Sequence, residues 1–340
     1  MKLLSNRSLL TLCVAAFATY TGAGMVGAVR VLYVQSHGGS LVVISAMASA
    51  FLVANFVFQY PWGWLSDRWG RRQVLLVGMV AQCLFVAAYL FISDPALFVA
   101  VRFLEGAATA SILPSARAAI ADLVPDRERG RAYGTFSAFF NFGFLFGPAA
   151  GGLLAAVNFR LVFGLAVGLR VIGAVVIFAG LTGLPQSGPH ARAAGTERIW
   201  KALLSMPLVA GYIIAFGDYL WLGFDQTLAP LWMRHHLAAS IWQIGLVYSL
   251  WAVPGVLLAP LGGRLADRYP RWLLILVAGL GQFPMYLGYV LAHSIYVIFA
   301  LFPIQACLYA VVSPAVDAHV AGSAPEHIRA RAQSTFTAVG

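Results

Sequence analysis

The sequence predicts an all-α polytopic membrane protein made of two homologous halves, and three observations predict it. The chain is 61% hydrophobic and only 10% charged, with a mean hydropathy of +0.82, where a soluble domain carries about 25% charged residues. Its apolar residues recur in blocks of about 20, the length needed to cross a hydrocarbon core about 30 Å thick. Separate parts of the chain also repeat at a fixed offset of 200 residues.

Each block is read as a helix, because lipid offers no partners for an open backbone. Ten spans are expected, at 8–30, 40–61, 73–92, 96–116, 135–156, 161–183, 206–228, 242–261, 272–292 and 295–316. The first follows Lys2 and Arg7 and resembles a signal peptide. Its apolar run continues past Gly24 to Val29, longer than a usual leader core, so it is read as a retained helix. With the N-terminus in the cytoplasm, 17 of the 22 Lys and Arg residues fall on the inner side, the bias expected of cytoplasmic loops. Arg30, Arg160 and Arg234 fall outside, and Arg102 and Arg170 lie within spans. The expected location is therefore the cell inner (plasma) membrane. The net charge of +10 belongs to these loops rather than to a nucleic-acid surface. Cys13, Cys83 and Cys307 are far apart inside apolar blocks, so neither a disulfide framework nor a metal site is expected. His235 and His236 stand together in an outer loop without further ligands nearby.

The repeat organises these spans. At an offset of 200, Gly63, Asp67 and Arg68 fall on Gly263, Asp267 and Arg268, and Pro114 falls on Pro314. Pro125, Arg129, Arg131, Ala132, Thr135 and Phe136 fall on Pro325, Arg329, Arg331, Ala332, Thr335 and Phe336. Two parallel six-helix halves are a transporter architecture. The expected division is an N-terminal bundle over 1–184, a cytoplasmic linker over 185–205 and a C-terminal bundle over 206–340. Partners of helices five and six would begin near 335, and the sequence runs to Gly340. The expectation is thus a C-terminally truncated chain whose second bundle holds four helices and the start of a fifth.

Three motifs carry a family resemblance. Gly63-Trp-Leu-Ser-Asp67-Arg68-Trp-Gly70-Arg71-Arg72 lies between spans two and three, Arg102-Phe-Leu-Glu105-Gly106 lies in span four, and Gly143-Phe-Leu-Phe-Gly147-Pro148-Ala-Ala-Gly151-Gly152 lies in span five. In these the chain resembles the major facilitator superfamily, and in the third its twelve-helix drug:proton antiporter branch. The resemblance implies an inner gate at Gly63, Asp67, Arg68, Gly70, Arg71, Arg72 and Arg117, with Asp67 paired to Arg71 or Arg117 and the glycines allowing a tight turn. The second copy, with Asp267 and Arg268, has Pro270 where the first has Gly70, which leaves its gating role open. The resemblance also implies proton coupling at Arg102, and an interface between halves at Gly143, Gly147, Pro148, Gly151 and Gly152. The alternatives are a topogenic basic loop, a fixed ion pair and ordinary small-residue helix packing.

The remaining candidates come from the residues themselves. Arg102 and Glu105 share a helix face and should pair. Asp218 and Asp225 in span seven lie seven apart on one face, and a carboxylate held away from water can exchange protons near neutral pH. The spans hold Arg102 and Arg170 against Glu105, Asp218 and Asp225, so one acid is expected to be free. The order of preference as proton site is Asp218, Glu105, Asp225. Arg30 is read as reaching for the interface, with pairing to Asp225 or attraction of an anionic substrate group as alternatives. Tyr20, Tyr219 and Tyr248 are the aromatic candidates for a substrate cavity.

The expected function is secondary active transport, proton-coupled efflux of small amphipathic or cationic compounds by alternating access. The alternatives are a sugar, metabolite or siderophore permease of the same superfamily, or a truncated paralogue that does not transport. No hydrolase, metalloprotease or phosphate-loop motif is present, so an enzyme is not expected. The expected partners are a small-molecule substrate, protons and the lipid bilayer. No cofactor, metal or nucleic acid is expected, and the chain is read as a monomer.

Overall fold

A backbone that crosses hydrocarbon must satisfy its own N–H and C=O groups, and every long apolar segment here does so as a helix. The computed structural model describes residues 6–181 and 206–323, apart from certain side chains that include those of Asp67, Asp218, Tyr219 and Asp267. The linker expected at 185–205 lies outside the described residues. The helices are α1 (Arg7–Ser36), α2 (Leu41–Trp69), α3 (Arg71–Ala88), α4 (Pro95–Thr109), α5 (Ile112–Leu123), α6 (Asp126–Val157), α7 (Phe159–Gly180), α8 (Met206–His236), α9 (Ile241–Arg268), α10 (Arg271–Val290) and α11 (Ile295–Ser323). Among the described residues, nine segments are long and apolar enough to span a membrane. The expected span seven is the 31-residue helix α8.

Local chemistry sets the ends. Asn6 accepts from the Ser8 and Leu9 amides, Ser40 from Val43, Asp94 from Ala96 and Asn158 from Arg160, each satisfying donors that a first helical turn leaves open. Pro95 opens α4 where no amide is needed.

Several helices run beyond the expected spans, and three differences bear on the candidate site. First, α2 continues to Trp69, so Gly63 lies inside a helix and the turn falls on Gly70 alone, at φ +100°, a region open to glycine. Second, span four breaks into α4 and α5 at Ala110–Ser111. Ser111 there donates to the Ala108 carbonyl at 2.7 Å, and its hydroxyl sits where a side chain at Gly78 of α3 would project. Third, α6 starts at Asp126, directly after Pro125, instead of at 135. The basic stretch that hydropathy leaves as a loop is helical, because leaving the hydrocarbon does not require a helix to end.

The chain divides into two compact units, one of residues 1–190 and 239–249, the other of 191–238 and 250–340. In the first unit α1 is the central element and packs most extensively on α6 and then α7; α2 lies on α4, and α3 on α7, α4 and α5. Its core gathers Leu9, Leu12, Leu75, Ile120, Phe136 and Ile177. The start of α9 groups with this unit because Gly152 and Gly245 let two backbones touch: a Cβ on Gly152 would fall 3.0 Å from the Gly245 Cα. In the second unit α10 lies along α11, and α11 on α8.

Candidate functional site

A charged centre is buried in the first unit where α1, α4 and α7 meet. Glu105 of α4 is 3% exposed and lies between two guanidiniums. Arg30 Nη2 approaches its Oε1 at 3.0 Å and Arg102 Nη1 its Oε2 at 2.9 Å. The Arg102–Glu105 pair is the one expected from their spacing. Arg30 does not reach outward as an interfacial side chain would: it is 8% exposed and ties α1 to α4. Tyr89 completes the carboxylate's shell, its hydroxyl donating to Oε2 at 3.4 Å. That ring is stacked between Phe98 and Phe163, at 5.6 and 5.1 Å, and the Tyr33 hydroxyl donates to its carbonyl at 2.8 Å. Arg102 also sits 3.7 Å over the ring of Phe51 on α2, a cation–π contact strengthened by the absence of water. Arg170 of α7 is 2% exposed and lies within electrostatic range of Glu105, Arg30 and Arg102.

Of the expected gate, Asp67, Arg68, Gly70, Arg71 and Arg72 lie at the α2–α3 turn. Arg71 is buried, donates to Ser66 Oγ at 3.2 Å and pairs with Asp122 of α5 at 3.5 Å. Ser66 also accepts from Ser115 at 3.2 Å, so α2, α3 and α5 share one polar knot. Arg72 donates to the Phe178 carbonyl at 2.5 Å and covers that ring, which joins the turn to α7. Arg68 is exposed and lies over Trp64. Arg117 is exposed, and its carbonyl accepts from Tyr133. Arg268 is exposed at the end of α9. The side chains of Asp67 and Asp267 lie outside the described set.

The glycines of α6 split between two neighbours. Side chains at Gly143, Gly147 or Gly151 would run into the backbone of α1 at Phe17, Thr21 and Met25, whereas Gly152 faces Ile241, Trp242 and Gly245 of α9. The Pro148 ring lies against Gly24. Beside that proline, the Ala149 amide donates across to Ser249 Oγ of α9 at 2.8 Å. Ser249→Ala would leave the amide with no such acceptor, and a loss of about 1–3 kcal/mol is expected. Melting of the two proteins in identical micelles measures it, and equal melting temperatures would show that the bond contributes nothing.

Sequence reading missed a second copy of the Tyr–carboxylate pair. At the offset of 200, Gln82, Tyr89 and Glu105 fall on Gln282, Tyr289 and Gln305. In the second unit the Tyr289 hydroxyl donates to Gln305, as Tyr89 does to Glu105. Arg30 and Arg102 fall on Pro230 and Phe302, so this copy carries no charge. A cavity of about 250 Å³ beside it is lined by Trp221, Phe224, Trp232, Met233, Tyr289 and Phe302, among others. Its walls Met233, Tyr289 and Ile298 correspond to Tyr33, Tyr89 and Phe98, of which Tyr33 and Tyr89 lie against Phe163 of α7 in the first unit. Asp225 is half-buried and within electrostatic range of Tyr289. Tyr20 lies against Phe140 at 4.1 Å, and Tyr248 is half-buried. The side chains of Asp218 and Tyr219 lie outside the described set. Among the described residues no group of three or more His, Cys, Asp or Glu is placed to hold a metal.

The family profile of the Major Facilitator Superfamily matches residues 12–340. The chain belongs to the Major Facilitator Superfamily. It is 34% identical over 220 residues to the vesicular acetylcholine transporter of Mus musculus, covering 61% of this chain and 40% of that protein. It is 25% identical over 275 residues to multidrug resistance protein 1 of Bacillus subtilis (strain 168), covering 78% of this chain and 68% of that one. The chain therefore spans two-fifths of the length of its vesicular relative. Among solved structures, the nucleoside transporter NupG matches with a TM-score of 0.82 at 13% identity, over 97% of this chain and 87% of that one. The D-xylose-proton symporter matches with a TM-score of 0.73 at 17% identity, over 99% and 87%. At these identities the structures show the fold alone. The superfamily is one of multi-pass transporters rather than enzymes, and nine segments of this chain among the described residues are long and apolar enough to span a membrane.

Proposed function

We propose that the chain is a secondary active transporter that exports small amphipathic or cationic compounds in exchange for protons, by alternating access of two halves. The observation that carries this reading is the Arg30–Glu105–Arg102 centre. Ionisable groups inside membrane spans are costly and mark ion or substrate pathways. This one joins α1 to α4, so a proton taken by the carboxylate would loosen a link between two helices. Asp218 and Asp225 are the acids proposed to take protons in the second half. The inner gate is assigned to the α2–α3 turn and its Asp267–Arg268 copy, and the substrate cavity to Tyr20, Tyr219 and Tyr248. The similarity to multidrug resistance protein 1 supports export of chemically varied compounds. The membrane assigned is the plasma membrane, with the N-terminus and the linker 185–205 in the cytoplasm and the protein acting as a monomer.

Liposomes containing the protein test the proposal. A pH gradient is expected to drive movement of a fluorescent cation such as ethidium, and a protonophore to stop it. Movement indifferent to the gradient would remove proton coupling. No movement of cationic or of uncharged amphipathic dyes would remove export.

A further inference from the structure

The buried charge around Glu105 does not balance. Arg30, Arg102 and Arg170 are all at least nine-tenths buried, and Glu105 is the one acid buried with them among the described residues. Three positive charges against one negative leave an excess of two. Glu105 is fully engaged by Arg30 and Arg102. Arg170 is left with the Ala166 carbonyl of its own helix, at 3.2 Å, and no described carboxylate lies within ion-pair distance of it. Its Nε has no partner, and neither does the hydroxyl of Thr19 on α1, which is 3% exposed. Both donors pack directly against glycines of the facing helix. A Cβ on Gly22 would stand 3.0 Å from Arg170 Nη1, and one on Gly173 would stand 2.8 Å from Thr19 Oγ1. An unpaired guanidinium away from water is strongly unfavourable, and an unused buried donor adds to that. A small anion addresses both at once: it offsets one of the two excess charges and supplies the missing acceptors.

We propose that the first unit holds a monoanion at the α1–α7 seam, bound by Arg170 with Thr19, and that Arg30 and Arg102 supply the surrounding positive field. The chemistry required is one negative charge on a group small enough for a guanidinium and a hydroxyl to share. A free halide meets it, and so does the carboxylate of a transported compound. In the second case the assignment rests on the transport reading and makes the substrate class one that carries a carboxylate. Arg170 has no part in the pairs that Tyr89 makes with Glu105 in the first unit and Tyr289 with Gln305 in the second.

Binding is read without any gradient, so the result is independent of proton coupling and of export. The 340-residue chain in micelles is melted in sodium gluconate, whose polyhydroxylated chain an apolar helix seam excludes, and in sodium chloride and sodium benzoate, at equal ionic strength. Chloride or benzoate is expected to raise the melting temperature by several degrees over gluconate, and Arg170→Gln to abolish that rise. A larger rise with chloride identifies a free ion, and a larger rise with benzoate a substrate carboxylate. In gluconate, Arg170→Gln is expected to melt at or above the unaltered chain, because it removes an uncompensated charge. Equal melting in all three salts would overturn the proposal. So would a salt effect that survives Arg170→Gln, or an Arg170→Gln chain that melts lower or fails to fold in gluconate, since the guanidinium would then be a structural donor.

Discussion

Glu105→Gln is expected to destabilise the first unit by about 3–5 kcal/mol, because it leaves Arg30 and Arg102 buried with no counter-charge. The change is nearly isosteric, and the new amide oxygen can still accept from Tyr89, so packing and that hydrogen bond are preserved. What is lost is the neutralisation of two guanidiniums that are 8% and 6% exposed. The second unit indicates how to separate the charge from the fold. There the same three positions are Pro230, Phe302 and Gln305, and the Tyr–Gln pair forms without any arginine. Combining Glu105→Gln with Arg30→Met and Arg102→Phe is therefore expected to restore melting close to that of the unaltered chain while removing proton-driven movement of the dye. Melting in micelles and dye movement in liposomes are the two measurements. A single variant that melts normally would show that the arginines are solvated or paired elsewhere. A triple variant that folds and still couples to protons would remove the centre from the coupling pathway.

Much of the fold was legible because lipid leaves a sequence few choices. Composition and block length place the spans, and the offset of 200 relates the halves. The charged centre was only half legible. Arg102 and Glu105 can be paired from their spacing, since a helix brings residues three apart to one face. Arg30 could not be, because its position at the end of a span reads as an interfacial arginine until α4 is seen to cover it. The count of span charges mixed the two halves. It set Asp218 and Asp225 of the second half against Arg102 and Arg170 of the first, and so left the excess of buried cations around Glu105 unseen. Gly63 misled in another way: a glycine in a loop-like motif suggests a turn, but only Gly70 has the positive φ that demands one. The Tyr89–Glu105 and Tyr289–Gln305 correspondence stood in the sequence throughout, hidden because its members are scattered through apolar spans and pair only once α3 meets α4 and α10 meets α11.

Gly151→Ala is expected to be the most damaging single methyl that can be added to α6, and its effect separates close packing from helix propensity. On propensity alone, alanine in place of a mid-helix glycine should stabilise by about 0.5–1 kcal/mol. Gly168 of α7 shows that case, because nothing lies within 4 Å of a Cβ built there. At Gly151 the added carbon would meet the carbonyl, carbonyl carbon and Cα of Met25, all of them backbone. A flexible side chain could swing aside, but a helix backbone yields only by moving the helix. Here α1 has little freedom to move, since it is held by α6 and α7 together and carries Arg30 to Glu105 across the unit. Overpacking a close-packed interior costs about 1–3 kcal/mol, and an obstacle made of backbone belongs at the upper end of that range. Melting in micelles should therefore fall for Gly151→Ala and hold or rise for Gly168→Ala. If both melt alike, α1 and α6 have slack between them. If Gly151→Ala folds but loses transport while Gly168→Ala keeps it, the glycine face serves the movement of α1 against α6 more than the stability of their resting contact.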